Sequence, residues 1–291
     1  MFDAKSIKEL RERTGAGMLD CKTALTETNG DLEKAVDFLR EKGIAKAAKK
    51  ESRIAAEGLA KVFIRDNKAV ILEVNTETDF VSKNAKFLDF FDQLGNLLLD
   101  EDVKTVEELL EVKFNDTETV NEHLTHLIAT IGEKISIRRF ETLNKEDAEV
   151  FGEYIHMGGR IAVLNLLKGG NTEVATDVAM QAAAMRPKYT SVDDITEEDR
   201  EREEHVISEQ IKNEGKPADI AAKMLSGRMQ KFYKEVCLLE QAFIKEDKIN
   251  VKTYLKNNGA ELVKSIRFEV GEGMEKRCDD FAAEVREQMG A

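Results

Sequence analysis

The strongest constraint in this sequence is a change of hydrophobic period. Over residues 1–45 apolar side chains recur every three or four positions, and over residues 60–74 the period drops to about two. One chain must therefore build a helical module and then a sheet. In the first part, Ser6-Ile7-Lys8-Glu9 reads as a capping box that opens a helix with Ile7 and Leu10 on its inner face, and Thr14-Gly15 closes it. A second helix is expected from about Asp20 to Asn29-Gly30, with Cys21, Ala24 and Leu25 at helical spacing. A third starts at Asp31, carries Leu32, Ala35, Val36 and Leu39, and stops at Gly43. Three short helices share a thin core, which suits a docking unit better than an enzyme. Residues 46–54 form a basic linker, with Lys46, Lys49, Lys50 and Arg53 against Glu51.

The period-two segment predicts a hairpin. Ala60, Val62 and Ile64 form the inward face, Asp66-Asn67 the turn, and Ala69 to Val74 a well-buried return strand. Thr78-Asp79-Phe80-Val81 then joins that strand to a helix reaching about Leu99. Two further helices follow, one opened by Thr105 and one carrying Val120, Leu124, Leu127, Ile128 and Ile131, before a strand over 135–141. The order then repeats: strands over 150–156 and 160–167, a helix from Thr172 to Ala184, and a late strand over 263–269. Ser136-Ile137-Arg138-Arg139-Phe140-Glu141 resembles Ser265-Ile266-Arg267-Phe268-Glu269, and Ala69-Val70-Ile71-Leu72 resembles Ile161-Ala162-Val163-Leu164. The fold class is α+β, with two related subdomains built on small antiparallel sheets with helices on one side. Their expected extents are 55–141 and 142–278. A charged helical hairpin over about 196–230, broken at Gly215-Lys216-Pro217, is inserted in the second. A terminal helix is expected over 279–291, with Phe281, Ala282 and Val285 on one face.

Composition narrows the function. Forty-four basic residues face 57 acidic ones, a net charge of −13, so a nucleic-acid-coating surface is not expected. No run of about 18 apolar residues exists, so no membrane span is expected. The N-terminal residues lack the apolar core of a signal peptide. Cys21, Cys237 and Cys278 form no C-x-x-C pair, which fits a reducing, cytoplasmic setting.

Catalytic chemistry finds little support. His123 and His126 share a helix face without further metal ligands nearby and read as solvated, so no metal site is expected. His156 precedes Gly158-Gly159 but has no nucleophile to activate. Gly158-Gly159, Gly169-Gly170 and Gly271-Glu272-Gly273 match no phosphate-binding pattern, so neither a cofactor nor a small-molecule substrate is implied. The corner at Thr78–Val81 has two readings. Thr78 or Asp79 caps the following helix and Phe80 joins the core, or the corner presents Asp79 and Phe80 outward as a rigid wedge.

Several longer stretches carry a family resemblance. They are Glu9-Leu10-Arg11-Glu12-Arg13-Thr14-Gly15-Ala16-Gly17-Met18-Leu19-Asp20-Cys21-Lys22, Thr78-Asp79-Phe80-Val81, and Gly132-Glu133-Lys134-Ile135 with Ile137-Arg138-Arg139. Arg160-Ile161-Ala162-Val163-Leu164 and Arg267-Phe268-Glu269-Val270-Gly271-Glu272-Gly273 complete the set. Together they resemble bacterial translation elongation factor Ts, the guanine-nucleotide exchange factor of the GTPase EF-Tu, over essentially the whole chain. The resemblance implies a UBA-like N-terminal domain, a two-subdomain core, a coiled-coil hairpin and a C-terminal helix.

It also implies that Asp79 and Phe80, within Thr78-Asp79-Phe80-Val81, intrude into the EF-Tu G domain and displace groups supporting its Mg2+. Met18 and Leu19 would contact the same domain through the N-terminal module, as would the C-terminal helix. Ile135 and the region of His156 would add contacts, the latter to another EF-Tu domain. Such a factor makes and breaks no bond, so it is no enzyme in that sense. EF-Tu is its partner, with no direct nucleic-acid or membrane contact. Two positions depart from the family pattern: Ala242, where proline is common, and Gln181, where histidine is frequent. A scaffold that binds a partner without changing its nucleotide affinity is the competing reading.

Overall fold

The computed structural model describes residues 4–275. The predicted terminal helix over 279–291 and Cys278 lie outside the described residues. The chain divides into two compact units. The first contains the residues up to Phe63, Leu72–Glu141 and the stretch from Glu269 onward. The second contains Ile64–Ile71 and Thr142–Phe268.

The first unit opens with α1 (Ala4–Thr14), α2 (Met18–Glu27) and α3 (Leu32–Ala48). Their core is Leu10, Cys21, Ala24, Leu25 and Ala35. Asp31 caps α3 by accepting the Lys34 amide at 3.1 Å. Two expectations are corrected. Ser6 lies inside α1, which already runs from Ala4, so it is not the cap. Gly43 does not end α3, which continues to Ala48 and takes up the first residues of the basic linker. A Cβ on Gly43 would come to 3.3 Å from the Ala129 Cβ of α6 (Val120–Ile131), so the glycine serves a close helix crossing.

The sheet of this unit has the order β1 (Glu57–Arg65), β2 (Lys68–Thr76), β3 (Ile135–Asn144). Between β2 and β3 come a 3-10 turn (Val81–Lys83), α4 (Ala85–Asp100), α5 (Val106–Glu111) and α6. On β1 the expected face shifts at its end: Phe63 is buried and Ile64 exposed. The cause is α4. Phe63 packs with its ring tilted against Phe91, centroids 5.9 Å apart, and occupies the space a Cβ on Gly95 would need, 2.2 Å away.

Central strand β2 is buried along nearly its whole length, as a strand covered on both faces must be. It nonetheless carries Glu73, fully buried. Glu73 Oε1 accepts from Arg138 Nη1 at 2.9 Å and from the Gly271 amide at 3.0 Å, and Oε2 accepts from Arg139 Nε at 2.7 Å. Arg138 also donates to the Glu272 carbonyl. This buried charge is therefore paired twice and hydrogen-bonded, the condition under which burial is tolerated.

The second unit repeats the plan. Its sheet has the order β4 (Glu149–His156), β5 (Ile161–Gly169), β8 (Ala260–Glu269). β4 and β5 pair antiparallel from Glu149↔Lys168 to His156↔Ile161. As in the first unit, the late strand returns beside the second strand of a hairpin. Helix α7 (Thr172–Met185) buries Val174, Ala175, Val178, Ala179, Ala182 and Ala183 against Val163 and Leu167. Here the glycine that permits close approach lies on the strand: a Cβ on Gly152 would sit 2.2 Å from the Ala175 backbone.

Helices α8 (Glu197–Asn213) and α9 (Ala218–Val236) form the predicted hairpin, closed by Ile207, Ile211 and Met229. Ile220 is exposed, and α9 runs six residues beyond the predicted 230. Asp199 anchors the base of α8. It accepts from Lys188 Nζ at 2.7 Å and from the Tyr189 hydroxyl, and these donors, Lys188 first, hold its carboxyl down at about 2.

The short pair β6 (Ala242–Phe243) and β7 (Glu246–Asn250), with α10 (Val251–Asn257), was not expected from the sequence. The two positions that depart from the family pattern meet here. Buried Gln181 donates to Gln241 Oε1 at 3.2 Å and to the Ala242 carbonyl at 3.1 Å, and accepts from the Ile244 amide at 2.8 Å.

Candidate functional site

Residues 77–84 connect β2 to α4. Their local chemistry makes a rigid corner. Thr76 Oγ1 donates to the Thr78 carbonyl at 2.8 Å, and Ser82 Oγ donates to the Asp79 carbonyl at 2.8 Å. The Lys83 and Asn84 amides close the 3-10 turn onto the Phe80 and Val81 carbonyls at 3.2 and 2.9 Å. Val81 is buried and anchors the turn.

The capping reading of this corner is corrected. The N-cap of α4 is Asn84, whose side chain accepts the Lys86 amide at 2.9 Å. Neither Thr78 nor Asp79 caps that helix. Phe80 is not core: it is 80% exposed. Leaving a phenylalanine in water forgoes about 1.5–3 kcal/mol of burial, and the turn holds its ring outward. Asp79 stands beside it, paired with Lys83 at 2.7 Å, both side chains more than half exposed. Such an exposed pair is worth about 0.2–1 kcal/mol.

The corner is also braced by the loop between α6 and β3. The Thr78 amide and hydroxyl donate to the Glu133 carboxylate at 3.0 and 2.8 Å. Glu77 in turn accepts the Lys134 amide, and its other oxygen pairs with Arg53 at 3.1 Å. In the sequence Arg53 stands only as a linker charge and Glu133 only within a family motif, and Glu77 carries no signal of its own. Glu133 lies 55 residues from Thr78, beyond any local pattern.

The remaining expected residues are spread over the two units. In the first, Met18 and Leu19 open α2 and are 62% and 80% exposed. Asp20, just behind them, accepts from Lys46 at 2.9 Å, which ties α2 to α3 and pulls its carboxyl below the usual range. Ile135, by contrast, is buried at the start of β3 and presents no surface of its own. In the second unit His156 ends β4, exposed, with its Nδ1 3.4 Å from the Tyr154 hydroxyl. Met157, beside it, is also exposed and holds the left-handed φ of 49° that turns the chain.

His123 and His126 are not the solvated pair expected. Their Nδ1 atoms both meet Glu118, at 2.9 and 2.8 Å, and His123 stacks on Phe114 and Phe90. Burial rather than reactivity marks the thiols: desolvation raises Cys21 and pushes Cys237 up to about 11. Among the described residues, no group of three or more His, Cys, Asp or Glu is placed to hold a metal ion. No helix there is long and apolar enough to cross a membrane.

What the site offers is thus a braced corner with an exposed aromatic and a carboxylate, suited to protein contact. The sequence model of a protein family described as Elongation factor TS matches residues 77–272. That span begins at the braced corner and covers β3 of the first sheet, the whole second sheet, the helical hairpin and the Glu272 end of the Glu73 cluster. The chain belongs to the elongation factor Ts family of translation elongation factors.

Proposed function

We propose that this chain is the guanine-nucleotide exchange factor of EF-Tu and that the Thr78–Val81 corner does the work. A single observation carries the reading: Phe80 is 80% exposed on a turn anchored by buried Val81. On docking, the phenyl ring enters the partner's G domain and the Asp79 carboxylate follows it. Phosphates of bound GDP are held by backbone donors and by Mg2+, so displacing the groups that support the ion weakens the whole nucleotide site. This chain makes and breaks no bond. It changes the relative stability of the partner's loaded and empty states, and needs no nucleophile or phosphate loop of its own.

Met18 and Leu19 supply a second apolar contact from the N-terminal module, and His156 a third from the other unit. Ile135, expected to add a contact of its own, is buried at the start of β3 and is left out of the proposed docking surface.

Linkage supplies the test. If the chain weakens GDP binding, GDP must weaken binding of the chain by the same factor. Titration calorimetry with nucleotide-free and GDP-loaded EF-Tu is expected to give affinities that differ by at least about 100-fold, near the top of common coupling energies or above. Equal affinities would instead establish a scaffold, which binds without acting on the nucleotide.

A further inference from the structure

The corner and the loop after α6 exchange hydrogen bonds in both directions. Glu133, from the loop, accepts the Thr78 amide and hydroxyl at 3.0 and 2.8 Å. Glu77, from the corner, accepts the Lys134 amide. Each carboxylate thus satisfies a main-chain donor of the other segment, and neither segment can shift without breaking charge-assisted bonds at both ends. Helix α6 ends in left-handed Gly132, φ 91°, which turns the chain so that Glu133 faces the corner.

We propose that Glu133 is a positioning residue for nucleotide exchange: it holds the Thr78 main chain so that Asp79 and Phe80 meet the partner already in their productive geometry. The inference rests on the exchange reading above. Its physical basis is preorganisation. A projecting pair of side chains loses part of its effect if the loop must be ordered on docking. Distortion of the partner's site is sensitive to displacements well under a side-chain length. Val81 fixes only the far end of the segment. Asp79 binds Lys83 within the same turn, which does not orient the turn relative to the sheet. The Thr76 hydroxyl holds the Thr78 carbonyl from β2, and Glu133 holds the Thr78 amide and hydroxyl from the facing loop, with Glu77 reinforcing it through Lys134.

Two measurements on the full chain decide the matter. In the free protein, hydrogen exchange at the Thr78 amide reports the brace. Glu133→Ala is expected to speed it by at least about tenfold, the scale of a lost hydrogen bond to a charged acceptor, while the amides of β2 keep their protection. Glu133→Gln, which retains one acceptor oxygen, is expected to fall between wild type and Glu133→Ala. With EF-Tu·GDP, Glu133→Ala is expected to lower the maximal rate of GDP release by about tenfold. The half-saturating concentration is expected to change by less than about threefold, because the apolar contacts remain.

Unchanged exchange at Thr78 would overturn the proposal. So would lost protection at Thr78 with an unaltered maximal rate, and so would a loss confined to affinity. If the wild-type chain itself fails to speed GDP release, the exchange reading falls. The Thr78 amide then still decides whether Glu133 holds the corner.

Discussion

Replacing both Asp79 and Phe80 by alanine is expected to leave the fold intact and to lower the acceleration of GDP release by about 100- to 1,000-fold. The two halves of this result have different causes. The fold persists because Phe80 is 80% exposed and the Asp79–Lys83 pair is solvated. Substitutions at such positions usually move stability by no more than about 0.5 kcal/mol. The activity falls because both groups act only when docked. Burial of a phenyl ring in a partner is worth about 1.5–3 kcal/mol, and a carboxylate engaged in a dry interface adds about 1.5–3 kcal/mol. Together these correspond to roughly two to four powers of ten, of which the lower part is expected once solvent relaxation is allowed for. Stopped-flow release of a fluorescent GDP measures the rate, and circular dichroism checks the fold. Lys83→Ala serves as a control and is expected to change the rate by less than about threefold, since the exposed pair is weak. Wild-type acceleration in the double variant, with the fold intact, would remove the wedge from the mechanism.

Glu73→Ala is expected to do the opposite, damaging the fold without touching the docking surface. Glu73 is fully buried and pairs with Arg138 and Arg139 while accepting the Gly271 amide. Removing it takes the buried carboxylate from two guanidinium groups, which keep only contacts to Glu269 and Glu272, and leaves the Gly271 amide without this acceptor. Breaking a buried pair in this way costs about 3–5 kcal/mol, a large share of the about 5–15 kcal/mol that holds a domain together. The loss is expected in the urea transition of the first unit. Because the cluster is buried, salt should change it little. A cost below about 1 kcal/mol would mean that water or a rearranged partner replaces the carboxylate.

These residues also show what the sequence could and could not reveal. The switch of period from helix to strand is a local signal, and it located the three-helix module, both hairpins and the returning strands. The likeness of 136–141 to 265–269 reflected a real repetition, since each late strand returns beside the second strand of its hairpin. The repetition extends to chemistry. With Leu72 matched to Leu164, the next residues are Glu73 and Asn165, both fully buried polar groups on central strands. Asn165 donates to the Ala175 carbonyl at 3.3 Å rather than pairing with arginines.

What escaped the sequence depended on contacts between distant segments. Gly43 carries a good stop signal, but the approach of Ala129 gives it a packing role inside α3. Ile64 continues the alternating pattern, yet α4 packs Phe63 inward. At the corner, Thr78 and Asp79 are good capping residues by type. Asn84 does the capping, and Thr78 spends its donors on Glu133. The motif Thr78-Asp79-Phe80-Val81 was therefore visible, but the brace beneath it was not.

The most direct test of the account is release of a fluorescent GDP from EF-Tu, with this chain added at about one molecule to ten of EF-Tu and GTP in excess. Exchange by turnover predicts that nearly all of the GDP leaves at a greatly increased rate, because each molecule acts, departs when GTP binds, and acts again. Release at the spontaneous rate, with the EF-Tu shown to be active and the chain shown to bind it, would contradict the account.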